Sequence, residues 1–486
     1  MATQDGFVEI CRRELGISPP RCFTRRFSAS EAVVKKINLY GRLNGHKGCV
    51  NTVEFNSSGD LLVSGSDDRQ IMFWDWSTQT RTLSYPSGHS DNIFQAKIMP
   101  FSDDRKVVTS SGDGQIRLGQ VSEDGRVDTK KLGRHQGRVF KLAVEPGSSH
   151  IFYSCGEDGY IQHFDLRSNI ATRLFRCTSL TETSQQLRNI VSLNAIVIDP
   201  RNPHYFAVGG DNEFARVYDI RKCNMSSNLD KPVNTFCPRH LIEANNVHIT
   251  GLAYSCTSEL LVSYNDEHIY LFRKNMGWGP MPPSALCEDI QELEEPQVYQ
   301  GHRNAQTVKG VSFFGPGDEY VLSGSDCGHI FVWRKKGAKL IRLMIGDRRI
   351  VNHLEPHPHM PFFATCGIES SVKMWTPLAT DGPPLPTNVE RRNFLMLVVV
   401  EIFVMESNKR GREDQARVIL TPDVIMHVLR LQRRQAMAYV ERRYDRADIE
   451  SSDEEMGEPS VLGPSDGNAS SLEEDPVVTI RECNIS

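Results

Sequence analysis

The chain has no apolar run long enough to cross a bilayer. The longest, Phe394 to Met405, is twelve residues and contains Glu401, whereas a membrane helix needs about twenty. Met1 to Arg13 holds no apolar core of signal-peptide length. Charge of one sign is not in excess. A formal net charge of −5 over 486 residues excludes a chain that binds polyanions or anionic membranes by bulk charge alone. The twelve cysteines never form a CxxC pair, which excludes the closely spaced thiolates of a zinc ribbon. They are expected to be free thiols in a reducing compartment, the nucleus and cytoplasm. No P-loop, GxSxG, HExxH or paired-glycine dinucleotide motif occurs. The His357-Pro-His359 pair reads as a turn in a seventh repeat. We therefore expect no catalytic residue, no cofactor, no metal and no membrane or nucleic-acid partner.

What is present is an internal repeat. Gly45-His46 precedes Val50 to Phe55, Leu61 to Ser64 and Ile71 to Asp75, three short runs of β-type composition separated by Gly, Ser and Asp turns. The unit opens with Gly-His and closes with Trp74-Asp75, the signature of a WD repeat. Similar endings fall at Gly119, Phe164, Tyr218, Phe272, Trp333 and Trp375. The successive gaps from Trp74 are 45, 45, 54, 54, 61 and 42 residues. The short ones match one four-stranded blade of roughly 40–45 residues. The long ones imply inserted loops, Cys177 to Leu187 and Trp278 to Pro296 among them. The expected fold is all-β, a seven-bladed WD-repeat β-propeller over 37–378. Residues near Ile37 to Leu43 should supply the outer strand that closes the ring and removes its sheet edges.

One repeat contains a full polar staple. An Asp six residues before the closing Trp bonds the His of Gly-His, which bonds a Ser that reaches the indole N–H. Such a buried chain is tolerable only when every member is satisfied. His46, Ser64, Asp68 and Trp74 supply all four parts. Elsewhere the set is partial. Asp113, Asp158 and Asp266 hold the Asp position, while Asn212, Cys327 and Glu369 replace it. Gly-His recurs at His89 and His302, with Arg134-His135 in the third repeat. These His and Asp residues read as structural staples, not as ligands or acid–base pairs.

Outside the ring, 1–36 reads as a helical N-terminal arm. Phe7 to Leu15 has helical apolar spacing, Gly16 ends it, Pro19-Pro20 break the chain, and Ser30 caps a helix from Glu31 to Ile37. The stretch 379–420 reads as a Pro-rich linker carrying the anomalous apolar Phe394 to Met405. Thr421-Pro422-Asp423 opens an amphipathic basic helix over 421–447, with Arg430, Arg433, Arg434, Arg442 and Arg443 on one side. The tail 448–486 is expected to be disordered. Ten acidic residues and no Lys or Arg lie between Asp448 and Val477.

Two adjacent repeats add something to the closing pair. The third ends Phe164-Asp165-Leu166-Arg167 and the fourth Tyr218-Asp219-Ile220-Arg221. An Arg two residues past the Asp should leave the blade on one rim, its guanidinium free for a partner's carboxylates or carbonyls. This pattern resembles the DWD box of WD-repeat proteins that act as substrate receptors of cullin-4 RING ubiquitin ligases. Longer runs extend the resemblance to most of the chain. Cys49 to Asn56, Tyr85 to His89 with Asp91 to Phe94, His135 to Val139, Ala195 to Pro200, Phe206 to Gly210 and Phe236 to Ile249 are similar to the associated factor 8 branch. The arm and Thr421 to Asp448 are similar to its plant members.

The resemblance implies a non-catalytic receptor that docks on the damaged-DNA-binding adaptor protein through Asp165, Arg167, Asp219 and Arg221 and recruits a substrate protein. The alternative is a WD-repeat scaffold of a chromatin or RNA-associated complex. Two departures stand out. Phe164 and Tyr218 replace the Trp of the box, which would shift docking toward the arm. Phe394 to Met405 is foreign to the family pattern and reads as an unspliced or misannotated insert.

Overall fold

The computed structural model describes residues 6–168, 170–179, 190–223, 231–244, 246–280 and 294–378. The linker, the apolar Phe394 to Met405, the basic helix 421–447 and the acidic tail all lie outside them.

Among the described residues, twenty-eight strands form seven four-stranded antiparallel sheets. In the first blade the strands are Val50–Phe55, Leu61–Ser66, Gln70–Asp75 and Thr80–Pro86, paired in chain order. The inner strands of the next six blades are Ile93–Ile98, Lys141–Val144, Leu193–Ile198, Ile249–Tyr254, Val311–Phe314 and Val351–Pro356. Each packs on the next, and the last packs on the first, so the ring closes. The seventh blade takes its outer strand from the start of the ring. Ile37–Asn44 pairs antiparallel with Ser371–Pro377, from Ile37 opposite Pro377 to Asn44 opposite Ser371. That is the closure expected from the sequence, and it buries an edge that would otherwise template association.

Apolar cores lie between neighbouring blades. Val53, Phe55, Leu62 and Trp74 of the first blade pack on Ala364, Cys366 and Met374 of the seventh. Strand alternation alone does not give this pattern, because the middle strands are buried on both faces, as in Leu62 to Ser66 and Met72 to Trp74. The glycine of Gly45-His46 has a packing reason. A Cβ there would stand 2.8 Å from the Trp74 ring. Gly119 occupies the Trp position of blade 2 because Tyr85 of blade 1 fills that space. A Cβ on Gly119 would fall 2.4 Å from the phenol oxygen.

The staples hold the turns between second and third strands to the preceding loops. In blade 1 the Trp74 indole donates to Ser64 Oγ at 2.8 Å, Ser64 meets His46 Nε2 at 2.7 Å, and His46 Nδ1 meets Asp68 at 2.9 Å. One tautomer satisfies the whole chain: Nδ1–H donates to the carboxylate, and Nε2 accepts from the hydroxyl. Blade 2 repeats it with His89, Thr109 and Asp113, and blade 3 with His135, Ser154 and Asp158. Burial alone would lift Asp68, Asp113 and Asp158. The hydrogen bonds they accept outweigh it and hold all three below the usual carboxylate value.

Other blades solve the problem differently. In blade 5, Asp266 has no His partner; its backbone N–H bonds Asn304, whose amide donates to Thr250, Ser263 and the Tyr264 carbonyl. In blade 6, Cys327 replaces the Asp, both ring nitrogens of buried His302 are without a partner, and Trp333 donates to the Gln300 carbonyl at 3.1 Å. A buried Lys309–Asp326 ion pair stands beside it. In blade 7, Lys373 pairs with Glu369 at 2.6 Å and Asp347 at 3.5 Å, and Trp375 reaches Thr365.

The arm differs from expectation. It holds three helices, α1 Gly6–Glu14, α2 Pro20–Ser28 and α3 Glu31–Lys35. Pro20 begins a helix where the sequence suggested only a break, since a first-turn proline loses no helical hydrogen bond. Phe23 and Phe27 stack at 5.4 Å along α2. Ser30 is the N-cap of α3 but makes no capping bond from its side chain. The third helix belongs to the ring: Val34 joins a core of blades 6 and 7 with Phe314, Tyr320 and Trp375. Tyr320 donates to the Ala29 carbonyl at 2.9 Å, and Glu31 pairs with Arg334.

Two outcomes follow from these contacts. Ser64→Ala strips the partner from two buried nitrogens at once and should cost about 2–4 kcal/mol in urea unfolding. Leu15→Ala, at 72% exposure, should stay within about 0.5 kcal/mol. The second outcome concerns acid. Burial depresses His302 from 6.5 to about 3. The unfolded chain takes up this proton first, so its contribution is complete above the ordinary histidine value and declines as pH falls toward 3. Urea midpoints measured from pH 7 to 4 should fall less steeply in His302→Leu than in wild type; parallel curves would refute the assignment.

Candidate protein-binding rim

The turns that join first to second strands and third to fourth strands share one end of every blade, because each sheet is a meander. Both boxes lie there. Asp165 ends the strand Tyr160–Asp165 of blade 3, and Asp219 ends Ala215–Asp219 of blade 4. In each, the carboxylate closes a tight turn by accepting the backbone N–H two residues on, Arg167 at 2.9 Å and Arg221 at 3.0 Å. This short loop is what Asp favours at a strand end.

The same carboxylates hold the guanidiniums. Arg167 donates from Nε at 3.1 Å and from Nη2 at 2.8 Å to Asp165. Arg221 donates to Asp219 at 3.0 and 2.8 Å. The expectation of free guanidiniums is therefore corrected. With the Asp only two residues away and its carboxylate turned toward the loop, the fork closes locally in bidentate geometry. The hydrogen bond from Arg167 lowers Asp165 to about 2, and Arg221 lowers Asp219 in the same way. The aspartate engages two of the five N–H donors of each guanidinium, and Arg221 also meets the Tyr205 hydroxyl, so both arginines keep donors for a partner. The arginine side chains are 67% and 56% exposed. The rim thus presents two cations in fixed orientation on neighbouring blades. Blade 1 has the closing Asp75 but no such Arg; Ser77 and Thr78 bond it instead.

The replacement of Trp in the boxes acts at the buried end. Phe164 stacks on Phe152 at 4.7 Å, and its staple stops at Ser154 because a phenyl ring has no N–H. Tyr218 packs on Phe175 at 4.5 Å and contacts Cys177 Sγ through its hydroxyl at 3.5 Å. Neither change moves the Asp–Arg pair, which follows the ring along the strand.

Two apolar side chains on this end escaped the sequence reading. Phe101 is 80% exposed in the first turn of blade 2 with φ of 53°, and Ile170 is 61% exposed beside Arg167. A large aromatic at positive φ is strained, and nothing in the spacing of the repeat marks it. His357 and His359 sit on the same end. Their Nε2 atoms meet the carbonyls of Gly59 at 2.8 Å and Ser57 at 2.9 Å, clipping blade 7 to blade 1. Among the described residues no group of three His, Cys, Asp or Glu could hold a metal.

The WD domain, G-beta repeat family matches residues 37–75, 77–118 and 293–334. The chain is 33% identical over 289 residues to Protein ALTERED SEED GERMINATION 2 of Arabidopsis thaliana, covering 52% of this chain and 38% of that one. It is 31% identical over 302 residues to DDB1- and CUL4-associated factor 6 of Homo sapiens, covering 60% and 34%. It is 29% identical over 293 residues to WD and tetratricopeptide repeats protein 1 of Homo sapiens, covering 54% and 42%. The chain therefore spans well under half the length of these relatives. Among solved structures, the β-propeller domain of Myceliophteria thermophila Cps50 (Swd1) superposes with a TM-score of 0.53 at 19% identity, over 70% of this chain and 99% of that one. That likeness concerns the fold. With seven closed blades, His–hydroxyl–Asp staples in three of them and three matched WD repeats, the chain is a WD-repeat β-propeller, and its relatives include a DDB1- and CUL4-associated factor.

Proposed function

We propose that this chain is a non-catalytic substrate receptor of a cullin-4 RING ubiquitin ligase. It docks on the damaged-DNA-binding adaptor with the rim that carries Arg167 and Arg221, and it brings a protein to the ligase for ubiquitination. The observation that carries this reading is the pair of adjacent, internally braced arginines. Each guanidinium is held by Asp165 or Asp219 with N–H donors left over. Arginines held in place lose less freedom on binding than mobile ones, and arginine is a frequent interface anchor. Phe101 and Ile170 supply apolar surface on the same end. A relative whose name states association with DDB1 and CUL4 adds support. The receptor transfers nothing itself; it raises the local concentration of substrate beside the ligase. The associated factor 8 branch and a nuclear and cytoplasmic location belong to the same proposal. No helix among the described residues is long and apolar enough to cross a membrane.

A pull-down of purified adaptor by wild type and by Arg167→Ala/Arg221→Ala tests it. Binding should drop at least tenfold, about 1.4 kcal/mol. Equal binding by both would move the interface to the helices before Ile37. No binding by wild type would leave a scaffold propeller and overturn the receptor reading.

A further inference from the structure

The channel along the ring axis holds a cavity of about 350 Å³ lined by the inner strands, within the size range of small-ligand sites. Four charged side chains line it: Glu54, Lys97, Lys141 and Glu355. Only one ion pair forms among them, Lys97 to Glu54 at 2.9 Å. Lys141 and Glu355 make no ion pair among the described residues, although they face the same space. Buried His353 also lines the cavity, and its Nδ1 has no partner.

The charges are ordered along the axis. Lys141 and His353 lie at the end where the channel narrows beneath Phe94, Phe140 and Val308. Glu54, with its partner Lys97, and Glu355 lie at the other end, which widens into a second cavity of about 450 Å³ that also includes Glu145. His353 and Glu355 are two residues apart on one strand, so the two levels differ by about 7 Å. Burial, with the nearby Lys97, lowers Lys141 to about 8, and burial raises Glu355 in spite of the attraction of Lys97 and Lys141.

We propose that the channel binds a small organic zwitterion, its carboxylate against Lys141 and His353 and its ammonium against Glu355. Lys97 attracts Glu355 but is bonded to Glu54, so a lone anion would satisfy Lys141 and leave Glu355 sharing one lysine with Glu54, and a lone cation would leave Lys141 without a carboxylate partner. A ligand carrying both charges about 7 Å apart compensates both, which decides the class of ligand. Neutral His353 can donate one N–H to the carboxylate. The narrow end, closed over by Phe94 and Phe140 at 4.9 Å between ring centres, sets entry from the wide end. This site does not depend on the receptor reading.

Titration calorimetry of the full chain with ε-aminocaproate tests the inference, with caproate and hexylamine as half-charged controls. The zwitterion should bind at least tenfold more tightly than either control. Lys141→Met should weaken the zwitterion at least tenfold. Glu355→Gln should weaken it while leaving caproate unchanged, and it supplies the test if Lys141→Met fails to fold by circular dichroism. No binding heat with ε-aminocaproate would overturn the proposal, as would equal affinity for caproate or undiminished binding in both variants.

Discussion

Closure of the ring is the constraint on which the rest depends. Seven sheets close into a ring because Ile37–Asn44 completes the blade that ends with Ser371–Pro377. The seam therefore ties together segments more than three hundred residues apart. Loop-closure entropy opposes such contacts, and the structure reinforces them with more than strand pairing. Arg342 donates to the Ile37 carbonyl at 3.1 Å and to Asn38 at 2.7 Å, and Leu378 N–H bonds the Lys36 carbonyl. The helical arm adds Val34 to the core of blades 6 and 7, beside Ile37 of the closing strand. Its third helix is thus part of the seam and cannot be a free leader.

Closure fixes the blades but leaves each one a local problem, a turn whose backbone donors must be satisfied. Blades 1 to 3 use the same His–hydroxyl–Asp chain. Blades 5 to 7 use an Asn-centred cluster, a buried Lys–Asp pair and a Lys–Asp–Glu network. The last two place a lysine and a carboxylate where the first three place an imidazole. Such pairs add specificity of register more than stability, because desolvation offsets most of the Coulomb gain. Blade 6 retains His302 without a single partner for its ring. The histidine packs edge-on to Trp333 at 6.0 Å, so its remaining contribution is shape.

The sequence made the blade count and the closing strand legible because both depend on short-range pattern, a Gly-His opening and an aromatic-Asp ending repeated along the chain. The staple of His46, Ser64, Asp68 and Trp74 was legible for the same reason. What spacing could not show was set by contacts between blades. Gly119 looks like a lost tryptophan and is instead room for Tyr85. Lys309 and Asp326 look like surface residues and are buried against each other. The axial order of Lys141, His353 and Glu355 depends on the register of inner strands from different blades, which no single repeat contains. At the rim, both boxes were visible as motifs, but the direction of their arginines was not.

That direction changes what the boxes can do. A free arginine on a rim would spend rotamer entropy on binding. Here Asp165 and Asp219 have already fixed Arg167 and Arg221 through their backbones and side chains together. On the proposed receptor reading, the aspartate is then the positioning residue and the arginine the contact. The internal carboxylate also neutralises the guanidinium in part, so the outward N–H groups suit backbone carbonyls at least as well as acidic side chains. Specificity must therefore come from geometry: two donor sets on adjacent blades, at a separation the closed ring does not allow to change, flanked by Phe101 and Ile170. This also explains why Phe164 and Tyr218 can stand in for tryptophan. The aromatic ring secures the strand from within, and either ring does so, while the Asp–x–Arg turn beyond it keeps the same form.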